Sequence, residues 1–334
     1  MAAESLRDYA ESASAALRGL DGRAALADLD QHYAELTAAL RWFLDAGRTD
    51  EALRLASSLA PFWMASKLLD DGSDWLELAL ATPGGTDAER GRAFFEQGLL
   101  VFWTGDDDRA ATLHERAFEI GRDSGDPTVT ALALTGLARI ALRTDVAEGR
   151  WLCLDALAVL DGTDDLAGRS NAVHVLGVAA QMAGNFLEAR TFMSERIALA
   201  EKAGNLAAVS AECSNLSMVE RQLGELDRAE DLARRALDIS YGRGDDWAMP
   251  YNVSGLAATA MERHEFERAA ILVGVAEAMM EAAGADWPPD ERPHYERMLA
   301  VLPAEMGATP FERARGIGAT MKRQDAVSLA LRTD

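Results

Sequence analysis

The side chains best suited to chemistry in this chain are its histidines, its cysteines and a few carboxylates. His174 follows Asn171 by one helical turn, which places an imidazole beside a polar group. An acid–base pair could be drawn from His174, Glu212 and Glu262, since positioned imidazole and carboxyl groups transfer protons in general acid–base catalysis. A histidine on a helix is more often a hydrogen-bonded interior residue, and no GxSxG nucleophile motif occurs. We therefore predict no catalytic residue and keep an acid–base enzyme as the alternative.

Metal and cofactor chemistry lacks its usual ligand patterns in the sequence. Cys153 and Cys213 have no neighbouring Cys or His at zinc-ligand spacing, and His32, His114 and His294 are scattered. Aspartate runs such as 106–108 lie at predicted helix starts, where carboxylates cap the helix N-terminus. No GxxxxGK[ST] loop is present to hold phosphates. The sequence predicts neither a metal site nor a cofactor.

Composition and charge exclude several classes of partner. The formal net charge is −22, from 55 acidic and 33 basic residues, which opposes binding to nucleic acid and to anionic membranes. No apolar run approaches the roughly 18 residues of a membrane span, and residues 1–17 lack the features of a signal peptide. Cysteines at two distant helical positions are typical of reduced, buried thiols. We expect a cytoplasmic protein that binds neither nucleic acid nor membrane.

The elements that carry these side chains are set by a turn that recurs about every 40 residues. Its opening positions are 67, 105, 144, 184, 224 and 264, with steps of 38, 39, 40, 40 and 40. Self-similarity at this period predicts stacked helical hairpins. A small residue recurs at the fifth place after the opening position, because two helices that cross beyond a tight turn leave room for little more than a methyl group. These residues are Gly72, Ala110, Gly149, Ala189, Ala229 and Ala269.

The positions of proline and of turn-forming residues predict an all-α chain. No proline occurs between Pro127 and Pro250, and β-hairpin signals are absent. His264 occupies a position that is usually glycine, so we expect unusual backbone geometry there. Beyond the repeats, a rigid turn at 287–290 precedes helices expected at 291–306, from about 309, and at 323–331. The predicted divisions are an N-terminal helical cap at 1–46, repeats at 47–284 and C-terminal capping helices at 285–334.

The repeat unit resembles a tetratricopeptide repeat in its longer, roughly 40-residue form. The likeness rests on Leu176-Gly177 in a first helix, the Gly184-Asn185 turn, Ala189 in a second helix, and Asn215-Leu216-Ser217. This resemblance implies a right-handed α-solenoid of helical hairpins. It also implies that the first helix of each hairpin lines the concave face of the solenoid.

The chain as a whole is similar to the C-terminal region of actinobacterial ATPase-type regulators of the maltose-regulator-like group, which often carry a LuxR-type DNA-binding domain. Three stretches carry the likeness: Glu35 to Trp42, Trp75 to Leu80, and Trp287 through Arg297. The resemblance implies a sensor that binds an inducer or an inhibitory partner. The sequence contains neither an ATPase domain nor a helix-turn-helix segment, and both a free-standing protein and an excised sensor domain stay open.

The expected concave face is apolar with few polar groups. Such a wall is typical of a site for a small apolar molecule or an apolar helix. The alternative for each side chain is packing between helices, which aromatic and methionine residues often do. The predicted ligand-binding residues are Phe95, Leu99, Phe102, Trp103, Leu134, Asn171, His174, Met182, Met218, Arg221 and Tyr251.

Three functions are compatible with this pattern. The leading interpretation is a non-catalytic sensor or scaffold in which the groove binds a small molecule or a peptide helix and Arg221 is the polar anchor. The alternative is an enzyme or drug-sequestering protein of a metabolite cluster that uses the groove as a hydrophobic chamber. The third is an oligomerisation module, a homodimer whose groove is filled by the partner subunit.

Overall fold

The computed structural model describes residues 2–287 and 291–332, and this part of the chain folds entirely into helices. The all-α prediction is therefore confirmed, whereas most of the rigid turn expected at 287–290 lies outside the described residues. The helices are α1 Ala3–Ala16, α2 Gly22–Asp45, α3 Thr49–Ala65, α4 Leu69–Ala81, α5 Asp87–Thr104, α6 Asp107–Ser124, α7 Pro127–Ala141, α8 Val146–Val159, α9 Leu166–Met182, α10 Phe186–Lys202, α11 Leu206–Gln222, α12 Leu226–Arg243, α13 Met249–Glu262, α14 Phe266–Ala282, α15 Arg292–Met306, α16 Ala308–Ala319 and α17 Arg323–Leu331.

The helices form two compact units. The first unit comprises Met1–Glu188 with Ala198–Gly204, and the second comprises Ala189–Ile197 with Asn205–Asp334. In the first unit, each odd-numbered helix from α1 to α9 packs against the next odd-numbered helix, which makes a row in sequence order. Each even-numbered helix from α2 to α8 packs against the two members of this row that flank it in sequence. In the second unit, α11, α13 and α15 make the corresponding row. We call these rows the odd-numbered layers; they are the stacking pattern that the 40-residue period predicts.

The recurring turns depend on the left-handed backbone conformation. Gly105, Gly184 and Gly224 have φ values of 91°, 74° and 78°, and Lys67 and His264 adopt 58° and 64° at the equivalent positions. The unusual geometry expected at His264 is thus confirmed. The turn at 144 differs: Asp145 caps α8 by accepting the backbone N–H groups of Ala147 and Glu148.

The small residues after each turn are completely enclosed. Ala110, Ala189, Ala229 and Ala269 have no exposed surface. A Cβ atom added to Gly72 would lie 2.7 Å from the Trp63 ring, and one added to Gly149 would lie 2.8 Å from Leu142. Larger side chains would therefore push the paired helices apart, which is the reason for the small-residue pattern in the sequence.

The helices that follow the last repeat begin and end close to their expected positions. In the second unit α16 packs so tightly on α14 that a Cβ atom on Gly274 would lie 2.0 Å from the Arg315 carbonyl oxygen. A Cβ atom on Gly318 would lie 1.9 Å from the carbonyl oxygen of Ile271. Glycine at both positions is what permits this contact between the two backbones.

Candidate functional site

All eleven predicted ligand-binding residues lie on odd-numbered helices, from α5 to α13. Phe95 to Met182 belong to the first unit, and Met218, Arg221 and Tyr251 belong to the second. The two sets are therefore described separately.

Three of the first unit's predicted residues are buried between helices. Phe95 packs among Ala117, Leu132 and Ala133, and Leu134 belongs to a second cluster that contains Leu160. Phe102 packs with Val101, Ala110, Leu113 and Ile140. These three side chains fill helix interfaces, which is the alternative that the sequence left open for each of them.

The other residues of this set are more accessible. Trp103 is 55% exposed and Met182 is 54% exposed, while Leu99, Asn171 and His174 are half-buried. The Trp103 ring meets the Phe102 ring edge-on at 5.5 Å. The guanidinium of Arg143 lies 4.1 Å above the Phe102 ring, a cation–π contact. Trp103 and Met182 are thus the apolar side chains of this set that a ligand could cover without moving a helix.

A buried histidine in the first unit was not predicted. His114 of α6 is almost fully enclosed, and its ring fits against two helical glycines, since a Cβ on Gly98 or Gly136 would lie 2.6 or 2.5 Å from it. Burial, with a smaller contribution from Arg139, lowers the pKa of His114 to about 4. Its Nδ1 makes no hydrogen bond to any described residue. In the sequence, the enclosure of this ring was indicated only by Gly98 and Gly136, two glycines inside predicted helices.

In the second unit, Arg221 is recessed in the odd-numbered layer. Its side chain is 7% exposed, and its Nη1 donates one long hydrogen bond, 3.4 Å, to a carboxylate oxygen of Glu262. Its Nε makes no hydrogen bond within the described ranges. Burial lowers the pKa of Arg221, while the charges of Glu262 and Glu291 oppose that effect. A guanidinium has five N–H donors, and Glu262 accepts a hydrogen bond from one of them.

A row of aromatic side chains also lies in the second unit. Trp247 and Tyr251 have ring centroids 5.7 Å apart, and Tyr251 meets Trp287 edge-on at 5.8 Å. Trp287 in turn stacks on Tyr295 of α15 at 4.8 Å. Trp287 is buried and Tyr251 is half-buried, whereas Trp247 is 47% exposed. We call these four residues the aromatic row; Trp247 is its accessible end.

The carboxylates considered for acid–base chemistry are engaged with arginines. Glu212 is fully buried and forms a salt bridge with Arg196, and Asn215 Nδ2 donates to it at 3.5 Å. Glu262 faces Arg221, and His174 lies on α9 in the first unit. These pairings give both carboxylates a charge-balancing role. Nowhere in residues 2–287 and 291–332 do three His, Cys, Asp or Glu side chains gather as a metal site would require.

Among the described residues, no helix combines the length and the apolar character needed to cross a bilayer. Cys153 and Cys213 are both buried, and neither forms a disulfide bond within the described part of the chain.

Comparison with known proteins places these features in context. No family model matches the chain. Candidate HTH-type transcriptional regulators of Mycobacterium tuberculosis and Mycobacterium bovis are 27% identical over 272 residues, which covers 76% of this chain. The match spans only 30% of the length of those relatives.

Solved structures share the fold. A Rap protein complexed with Competence and Sporulation Factor superposes with a TM-score of 0.58 at 13% identity, covering 98% of both chains. A signal-transduction ATPase with a tetratricopeptide repeat sensor from Pyrococcus horikoshii gives a TM-score of 0.52 at 12% identity, covering 88% of this chain and 48% of that one. The chain therefore has a tetratricopeptide-like fold and is similar in sequence to part of HTH-type regulators.

Proposed function

We propose that this chain is a non-catalytic binding module of a regulatory system. In this proposal the odd-numbered layer of the second unit binds an apolar ligand that carries an anionic group, and Arg221 binds that group. The ligand is a small molecule or a helix of a partner protein. The observation that carries the proposal is the recessed, under-bonded guanidinium of Arg221.

The surroundings of Arg221 suit such a ligand. A buried guanidinium with few hydrogen bonds is costly, and a carboxylate or phosphate would accept several of its donors in a charge-assisted geometry. Met218 lies one helical turn before Arg221 on α11, and Tyr251 of the neighbouring α13 is half-buried. These side chains would contact the apolar part of the ligand. Trp103 and Met182 of the first unit are proposed as separate apolar contacts.

The similar proteins support a regulatory role. The matched relatives are named as transcriptional regulators, and one similar structure is a Rap protein in complex with a factor. Another carries a tetratricopeptide repeat as the sensor of a signal-transduction ATPase. By analogy with these folds we assign a sensing or docking role, while the residues of the site carry the chemical argument. A cytoplasmic location is part of the proposal, because buried thiols such as those of Cys153 and Cys213 are typical of a reducing compartment.

The test is native mass spectrometry of the protein purified from its own producing cells, with a denatured sample as the reference. We expect a non-covalent adduct, a small molecule or a protein, that is lost on denaturation. Arg221→Met should abolish the adduct, because the anionic group loses its partner. Arg313→Met is the matched control, since Arg313 is an exposed arginine of α16 in the same unit.

Two results would contradict the proposal. One is an adduct that persists undiminished in the Arg221→Met variant while both variants remain folded by circular dichroism. The other is the absence of any adduct or co-purifying partner from the unmodified protein.

A further inference from the structure

A second site candidate lies in the first unit and shares no residue with the predicted ligand-binding set. A pocket of about 280 Å³ lies between α1, α3 and α5. We call it the N-terminal pocket and define it by the side chains that carry its chemistry. These are Glu11, Arg18, Arg54, Ser57, Glu89 and Arg92.

The N-terminal pocket is lined by charges of both signs that are only partly paired. Arg54 forms a salt bridge with Glu11 at 2.7 Å and lies 3.9 Å from Glu89. Arg92 lies 3.6 Å from the buried Glu96 on its own helix. Arg18 forms no salt bridge with any residue in the described part of the chain, so its guanidinium is available to a ligand. Three cationic and two anionic side chains therefore line one small space.

Ser57 provides an independent indication of a ligand. Its side chain is 2% exposed, it lines the pocket, and its Oγ makes no hydrogen bond to any described residue. A buried hydroxyl without a hydrogen bond is destabilising, and a ligand that bonded to it would remove that cost. Because a hydroxyl both donates and accepts, Ser57 could bond either a carboxylate or an ammonium group.

The negative charges of the carboxyl groups in this region are also only partly balanced by the neighbouring arginines. Burial raises the pKa of Glu89 and that of Glu96, and the nearby arginines offset the effect only in part. A positively charged group placed beside Glu89 would favour its ionised form. The same pocket thus offers an unpaired cation at Arg18 and an under-compensated anion at Glu89.

We propose that the N-terminal pocket binds a small zwitterion of the free α-amino acid class. Its carboxylate would contact Arg18 and Arg92, and its ammonium group would contact Glu89, with Ser57 bonding one of the two. A pocket lined by charges of both signs is complementary to a ligand that also carries both signs rather than to a simple anion or cation. The volume, about 280 Å³, is just below the range of drug-sized sites and fits a ligand of amino-acid size. This site is independent of the Arg221 proposal.

The test is isothermal titration calorimetry of the full chain with each of the standard L-amino acids. Any amino acid that binds is then compared with its N-acetyl and its amide derivatives. We expect at least one free amino acid to bind, with both derivatives at least tenfold weaker because each lacks one charge. Arg18→Met should weaken binding about tenfold or more, since a charge-assisted hydrogen bond is lost. Ser57→Ala should weaken it about tenfold or more, because a hydrogen bond to a charged group of the ligand is lost.

The variants are chosen so that the result is interpretable. Arg18 is exposed, so its replacement should leave the fold intact, and circular dichroism checks this. Arg116→Met is the matched control, because Arg116 is an exposed arginine of the same unit and forms a salt bridge with Glu119, outside the pocket. Unchanged affinity in Arg18→Met would overturn the proposal. Equal binding of an N-acetyl derivative would indicate an anion site and equal binding of an amide a cation site, and either would also overturn it, as would no binding by any amino acid.

Discussion

The two units bury polar side chains in different ways. In the first unit the imidazole of His114 is enclosed between α5 and α7 by glycines at 98 and 136, with no hydrogen bond to Nδ1 from any described residue. In the second unit, three glutamates on α11 and α12 are buried, and arginines of the same or neighbouring helices pair with each of them. The three are Glu212, Glu220 and Glu230.

The difference follows from the chemistry of the groups. A histidine becomes neutral at modest cost because its ordinary pKa is close to neutrality, so it can be buried alone. A carboxylate is charged at neutral pH and needs a partner when it leaves water. Arginine suits this role because its fork-shaped guanidinium can bond more than one acceptor, as Arg268 does with Glu230 and Glu265. His114 of the first unit is therefore buried as a neutral ring, whereas Glu212, Glu220 and Glu230 of the second unit are buried as ion pairs.

The largest effect should come from breaking the ion pairs of the second unit. Glu230 faces the guanidinium groups of Arg234, Arg263 and Arg268. Glu230→Gln should lower the unfolding free energy by about 3–5 kcal/mol, because the arginines lose their counter-charge while they remain partly buried. Urea unfolding followed by circular dichroism measures this. Asp231→Asn, at an exposed neighbour, is the control and should change stability by less than about 0.5 kcal/mol; equal effects of the two variants would refute the role of burial.

The first unit should instead respond to pH. The pKa of His114 is about 4 in the folded chain and 6.5 as the reference value, so the unfolded state takes up the proton first as pH falls. The contribution of neutral His114 to the free energy of unfolding is fully present above pH 6.5. It is lost as the pH falls towards 4, by about 3 kcal/mol in total. His114→Gln should flatten the stability profile between these values. An unchanged profile in His114→Gln would show that the ring is not buried in its neutral form.

The smallest effect concerns a feature that the units share. Lys67 in the first unit and His264 in the second hold the left-handed conformation without being glycine. Lys67→Gly and His264→Gly should each raise the unfolding free energy by about 1 kcal/mol, because a side chain is disfavoured in that conformation. The reverse change, Gly184→Ala, should lower it by a similar amount. Thermal unfolding compares the three, and a loss of stability in His264→Gly would indicate that its side chain makes compensating contacts.

Much of the fold could be read from the sequence because it depends on short-range rules. The turn positions, the enclosed small residues such as Ala189 and Gly72, and the limits of α15 to α17 follow from glycine, proline and capping patterns within a few residues. The site was harder to predict. Phe102 and Trp103 are adjacent on α5, yet the first is buried and the second exposed, a difference decided by α6 and α7.

What the sequence determined is therefore the repeat: its period, its all-helical character and the helices that carry the candidate residues. Helix formation and tight turns are local, so their residues stand close together in the chain. Only the tertiary structure decided which side chains are enclosed. The glycine-lined space around His114, the recess of Arg221 and the meeting of Arg18, Arg54 and Arg92 each combine helices from different hairpins. Burial and unpaired charge depend on such distant neighbours, and no spacing along the chain records them.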